Sequence, residues 1–161
     1  MKRGFLALLF LLALDVVSKA YADAFLPGVS GGNYPFGGVP IFYTEICSFS
    51  LNYAANTGAA WGMFQGYSGL LFGIRCATIL GLIGYLTVSR KRGPREIALW
   101  VIVTGAVGNV IDYLLYGHVI DFFHFTFFGK SFPIFNVADS CITLGVLWLL
   151  FFKGERVEKR A

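Results

Sequence analysis

Charge is scarce in this sequence. Only 14% of its 161 residues are Asp, Glu, Lys or Arg, while 57% are hydrophobic, against about 25% charged in an ordinary soluble domain. That balance excludes a soluble globular domain and points to a membrane protein. Cysteine is sparse as well. Cys47, Cys76 and Cys141 are odd in number, widely separated and form no CxxC, so neither a disulfide framework nor a zinc site is indicated.

The net charge of +4 would suit a nucleic-acid binder, yet ten of the 13 Lys and Arg sit in three clusters beside apolar runs. These are Lys2 and Arg3; Arg90, Lys91, Arg92 and Arg95; and Lys153, Arg156, Lys159 and Arg160. Basic flanks stay on the cytoplasmic side of a bilayer, so the clusters read as topology signals and no nucleic-acid partner is expected. The long apolar runs predict four spans, at about residues 4–22, 69–88, 97–116 and 135–152. Outer loops then cover 23–68 and 117–134, and both termini are cytoplasmic. The fold class is a membrane α-helical protein, one domain over 1–161.

The first run also imitates a secretory signal peptide, with a basic start and Ala20-Tyr21-Ala22 as a small-x-small site. The two readings are evenly matched on pattern. Asp15, Ser18 and Lys19, which share one helical face, favour a retained helix. In the first outer loop, a Gly and Pro segment over 26–40 precedes an alternating run over 41–53, interrupted at Glu45 and Ile46. Period two predicts a strand, its apolar face lying on the bilayer or lining a groove above it. In the third span Gly105, Gly108, Asn109 and Asp112 fall at i, i+3, i+4 and i+7, a small and polar stripe suited to helix contact and an inward-facing site.

The stretch around which the chain is organised is residues 117–145. It places Asp121 in a strand-like run with Val119, Phe123, Phe125 and Phe127, and Asp139 at the start of the last span. Taking a carboxylate out of water is costly unless something pairs or uses it. Capping alone accounts for Asp139, since Asn136-Val-Ala-Asp139 resembles a helix start with Asn136 as N-cap. It leaves Asp121 unexplained. The topology brings both acids to the outer end of the spans, where two close carboxylates share a proton. Such a pair can cleave an amide without a metal: the ionised Asp takes a proton from the attacking water and the protonated Asp donates to the carbonyl oxygen. The helix N-terminus favours the negative charge on Asp139, leaving Asp121 to hold the proton.

Weaker constellations compete. Ser18 and Lys19 as a Ser-Lys pair point about 100° apart on a helix. His118 and His124 with Asp121 could ligand a metal, but His124 stands at odd spacing from Asp121 in an extended segment. Asp15 with Lys19 reads equally as an i, i+4 ion pair or as a pair facing substrate. A proton-coupled membrane transporter using Asp15, Lys19, Asp112, Asp121 and Asp139 as a relay is the alternative of another class. Against it, these residues gather toward one end of the spans and no inverted repeat is visible.

Five stretches in order, Asp15-Val-Val-Ser18-Lys19, Asn56-Thr-Gly58-Ala-Ala-Trp61, Gly105-Ala-Val-Gly108-Asn109-Val-Ile-Asp112, Val119-Ile-Asp121-Phe122 and Phe135-Asn136-Val-Ala138-Asp139, make the chain resemble lipoprotein signal peptidase, or signal peptidase II. The resemblance implies four transmembrane helices with a small extracytoplasmic β-cradle, in the bacterial cytoplasmic (inner) membrane. It implies an aspartic endopeptidase with Asp121 and Asp139 as catalytic dyad and no metal or other cofactor. Asp15, Lys19, Asn56, Gly58, Asn109, Asp112, Asn136 and Ala138 match supporting or substrate-binding positions. The implied partners are diacylglyceryl-modified prolipoproteins, cut before the lipidated Cys, and membrane lipid; the enzyme is expected to be a monomer. Tyr113 departs from the pattern, standing where the family usually carries Arg, and Trp61 replaces a common Phe. A phenol cannot supply a forked cation, and Arg75 is a candidate replacement.

Overall fold

Four helices and a four-stranded antiparallel sheet alternate along the chain. The computed structural model describes residues 2–29, 38–58, 67–89 and 93–151. Helix α1 spans Lys2–Phe25; strands β1 (Val39–Tyr43) and β2 (Cys47–Asn56) follow; then α2 (Ser68–Val88), α3 (Pro94–Tyr116), β3 (Val119–Phe127), β4 (Lys130–Ser131) and α4 (Val137–Phe151). The first three helices are long and apolar enough to cross a membrane, and the described part of α4 is a shorter apolar helix. Pro94 starts α3 three residues before the span expected from 97, and left-handed Gly117 caps its end after Tyr116. Of the basic clusters, Arg90, Lys91, Arg92 and the tail lie outside the described residues, as does Trp61.

The helices are built inside out relative to a soluble bundle. Phe5, Leu9, Phe10 and Val17 of α1, Leu80 and Val88 of α2, and Leu147 and Phe151 of α4 face outward. Lys19, Asn136, Asp112 and Asp121, by contrast, are among the largest fully buried side chains. In lipid, apolar burial does not drive helices together, so small residues and polar bonds must. The predicted stripe on α3 supplies both. A side-chain carbon on Gly105 would strike the Ala138 carbonyl oxygen on α4, and one on Gly108 would strike the Asp15 carboxylate on α1. Gly145 likewise lets α4 approach Ile102.

The single strand predicted over 41–53 is two. Residues 44–46, where the alternation breaks, are the turn of a hairpin, with Thr44 bonded through backbone and side chain to Cys47. The sheet runs β1-β2-β3-β4. Of the two faces of β2, the polar one is the more buried: Ser48, Ser50 and Asn52 are 4% exposed each, against Ser48's partner Thr126 and Asn52's partner His124 on β3. The apolar face, with Phe49 stacked on Phe125 at 4.5 Å, is half-buried.

A bulge lies between Leu51 and Ala54, where the pairing steps from Leu51 opposite Phe123 to Ala54 opposite Asp121. One extra residue reverses the facing of everything beyond it. Asn56 therefore shares the face of Asp121, opposite to that of Asn52.

Candidate active site

Asp121 and Asp139 meet because β3 is tied to the start of α4. The Phe122 and Phe123 amides donate to the Phe135 carbonyl at 3.1 and 2.8 Å, and the Phe135 amide donates back to Phe123 at 3.1 Å. This places Asn136 beside Asp121. Asn136 is the N-cap that the sequence predicts: its Oδ1 accepts from the Asp139 amide at 2.8 Å, and its own amide donates to Asp139 Oδ2 at 3.4 Å. The two residues satisfy each other's orphan groups in the manner of a capping box.

Because Asn136 Oδ1 faces a donor, its Nδ2 points the other way, and it donates to Asp121 Oδ1 at 2.7 Å. One side-chain amide thus bonds the Asp121 carboxyl and the Asp139 backbone. The other Asp121 oxygen, Oδ2, accepts from Asn56 Nδ2 at 2.8 Å, and Asn56 Oδ1 accepts from the Gly58 amide at 3.0 Å. Asn109 on α3 donates through Nδ2 to Asp139 Oδ1 at 2.9 Å. Asp121 is 2% exposed, whereas Asp139 keeps part of its surface open.

Beneath the pair lies Lys19, 1% exposed. Its ammonium reaches Asp15 Oδ2 at 2.8 Å, Asp112 Oδ2 at 2.9 Å and Asn109 Oδ1 at 2.9 Å, which uses all three of its donors. The two carboxylates serve the backbone as well. Asp15 Oδ1 accepts from the Ala138 amide at 2.7 Å, and Asp112 Oδ2 accepts from the Ile120 amide at 3.1 Å. Lys19, Asp15 and Asp112 therefore hold the residues that precede Asp139 and Asp121. The i, i+4 pair is one edge of a buried cluster joining α1, α3, β3 and α4.

Burial pushes the Asp121 carboxyl up to about 7, with the negative charge of Asp139 adding to it; the Asn56 bond, Lys19 and the Asn136 bond pull the other way. The network holds four aspartates to one lysine, so a retained proton is the cheaper state. On the same face as Asp121, the Phe123 and Phe125 rings pack against Phe135 at 5.6 and 6.0 Å, giving the acid an apolar flank.

The rival constellations fall elsewhere. Ser18 Oγ donates to the Asp15 backbone carbonyl at 2.9 Å, while Lys19 turns inward to the aspartates. His124 lies between Asn52 and Ser131, on the sheet face opposite Asp121, and burial lowers its pKa. His118 stands 3.2 Å from the Tyr53 hydroxyl, which donates to Asp23 at 2.9 Å; burial, and then that bond, push Tyr53 up to about 12. Periodicity did not single out the Asp23, Tyr53 and His118 cluster, whose members come from α1, β2 and the turn before β3.

Compared with known protein families, residues 7–153 match the family described as signal peptidase (SPase) II. The chain belongs to that family. Among curated members, the lipoprotein signal peptidase of Chlamydia pneumoniae is 42% identical, over 75% of this chain and 77% of its own length. That of Chlamydia trachomatis serovar D is 36% identical over 91% and 87%, and that of Symbiobacterium thermophilum 41% over 70% and 74%. Among solved structures, a bacterial membrane enzyme determined by the in meso method at 2.3 Å superposes with a TM-score of 0.73 at 27% identity, covering 98% of this chain and 96% of the other. A signal peptidase II fold, with membrane helices and a small sheet, is therefore the frame in which the buried aspartates sit.

Every site residue singled out from the sequence, Asp15, Lys19, Asn56, Gly58, Asn109, Asp112, Asp121, Asn136, Ala138 and Asp139, falls in this one bonded network. The Tyr113 ring stacks on Phe72 of α2 with centroids 4.7 Å apart.

Proposed function

We propose that this protein removes the signal peptide from diacylglyceryl-modified prolipoproteins in the bacterial cytoplasmic membrane, as an aspartic endopeptidase with Asp121 and Asp139 as its catalytic pair. The observation that carries the reading is the Asn136 side chain bonded to Asp121 at 2.7 Å and to the Asp139 amide at 2.8 Å. It holds two acids at one point in a signal peptidase II fold.

In the reaction, the ionised and more open Asp139 takes a proton from water as the water oxygen attacks the scissile carbonyl carbon. Protonated Asp121 donates to the carbonyl oxygen. Collapse of the tetrahedral intermediate returns that proton to Asp121, breaks the C–N bond, and sends the proton on Asp139 to the leaving amine. Asn56, Asn109 and Asn136 orient the carboxylates without adding charge. Asp15, Lys19 and Asp112 fix the backbone that carries them. The active site then faces the outer leaflet, with both chain termini in the cytoplasm, and the acyl chains stay in lipid while the peptide rises along the aromatic face of the sheet.

Purified protein offered a diacylglyceryl-modified prolipoprotein and its unlipidated twin, with chelator present, tests this. The expected product begins at the lipidated Cys by mass spectrometry, and the unlipidated twin is cut at least about 100-fold more slowly, since remote binding energy is spent at the reacting bond. Equal cleavage of both, or inhibition by chelator, contradicts the reading.

A further inference from the structure

Helix α2 carries no member of the aspartate network, yet one of its side chains reaches it. Arg75 is half-buried, and its Nη2 donates to the Gly58 carbonyl at 3.3 Å. The Gly58 amide in turn donates to Asn56 Oδ1 at 3.0 Å, which leaves Asn56 Nδ2 aimed at Asp121 Oδ2, 2.8 Å away. An Asn side chain can present either end. Here the Gly58 amide decides which, because a donor must meet the oxygen.

We propose that Arg75 is a positioning residue for Asp121: by holding the Gly58 carbonyl it fixes the turn that points the Asn56 amide at the carboxyl. The proposal rests on reading Asp121 as half of the catalytic pair. The surroundings of Arg75 fit this role. Phe72, one turn earlier on the same face of α2, stacks on Tyr113 of α3 at 4.7 Å. Tyr113 thus braces α2 one turn before the point from which Arg75 reaches Gly58.

A hydrogen bond to the ionised form of an acid favours that form. Losing the Asn56 bond therefore lets Asp121 keep its proton to higher pH. The charged groups around Asp121 are Asp139 on α4, Lys19 and Asp15 on α1 and Asp112 on α3, and none of them contacts Arg75 in this chain of bonds.

The test is cleavage of lipidated prolipoprotein across pH by wild type, Arg75→Ala, Arg75→Lys, Asn56→Ala and the Arg75→Ala, Asn56→Ala double variant, with Asp121→Asn alongside. Arg75→Ala is expected to lower kcat about tenfold with KM little changed, the loss of one bond to a charged group, and to move the alkaline limb to higher pH. Asn56→Ala moves the limb the same way, and the double variant is no worse than Asn56→Ala alone. Arg75→Lys restores most of the rate, because a single bond to a carbonyl does not need a forked cation. If Arg75→Ala does not accumulate as folded protein, Arg75→Met, which keeps an apolar stem, carries the same comparison. An effect on KM alone, an unmoved limb, or full additivity with Asn56→Ala overturns the relay. Cleavage by Asp121→Asn would instead overturn the catalytic pair on which it rests.

Discussion

Asp121→Asn and Asp139→Asn are each expected to abolish cleavage, by roughly 1,000-fold or more, while the protein still folds. Asn keeps the volume and planar shape of Asp, and the Asp121 site is already lined by the amides of Asn56 and Asn136. Those two donors both face the carboxyl, so an Asn at 121 must set its own NH2 against one of them. That costs about 1–3 kcal/mol, which a folded membrane protein can bear. The chemistry has no such reserve. On the proposed mechanism, without Asp121 nothing donates to the carbonyl oxygen, and without Asp139 nothing takes the proton from water. Because the two act as a unit, the double variant should be no slower than either single one. Single-turnover cleavage beside a thermal melt separates the two effects; a folded Asp→Asn variant with near-native turnover would mean the acids are structural.

The second large effect is on stability. Lys19→Met is expected to destabilise the protein by about 3–5 kcal/mol, because it strands two buried carboxylates without a counter-charge. Asp15 and Asp112 lie 2.8 and 2.9 Å from the ammonium, and each also holds a backbone amide, Ala138 and Ile120. Loss of the lysine thus loosens the residues beside both Asp139 and Asp121. Adding Asp15→Asn and Asp112→Asn to Lys19→Met removes the stranded charges while keeping acceptors for those amides, and should recover part of the loss. Unfolding of the single and triple variants in one detergent checks this. A Lys19→Met protein as stable as wild type would show that the cluster contributes no net stability.

Much of this site was legible because the signals are local. The capping pair of Asn136 and Asp139 is visible as Asn-Val-Ala-Asp, and the α3 stripe follows from 3.6-residue periodicity alone. The hairpin was half visible: the break at Glu45 and Ile46 marked the turn but read as a flaw in one strand. What stayed hidden depends on pairing between distant segments. The bulge after Leu51 leaves no mark in Leu51-Asn-Tyr-Ala-Ala-Asn56, yet it alone carries Asn56 onto the face of Asp121. Lys19 read as the partner of Asp15, its helical neighbour, and the second partner, Asp112, required α1 to meet α3. The buried polar side of β2 inverts the usual expectation, because Thr126 and His124 across the sheet satisfy Ser48 and Asn52. Arg75 was legible only as a candidate replacement for the missing cation, and its target is a carbonyl that no composition rule marks.

Whether Asp121 and Asp139 share a proton during catalysis is read from the pH dependence of kcat/KM for the wild-type protein on lipidated substrate. On the proposed mechanism Asp121 acts in its protonated form, and its pKa is raised to about 7, so activity is expected to rise from acid pH as Asp139 ionises and to fall again as pH passes through about 7. A rate that climbs through one ionisation and stays level well above that pH, with no descending limb, would contradict the shared proton.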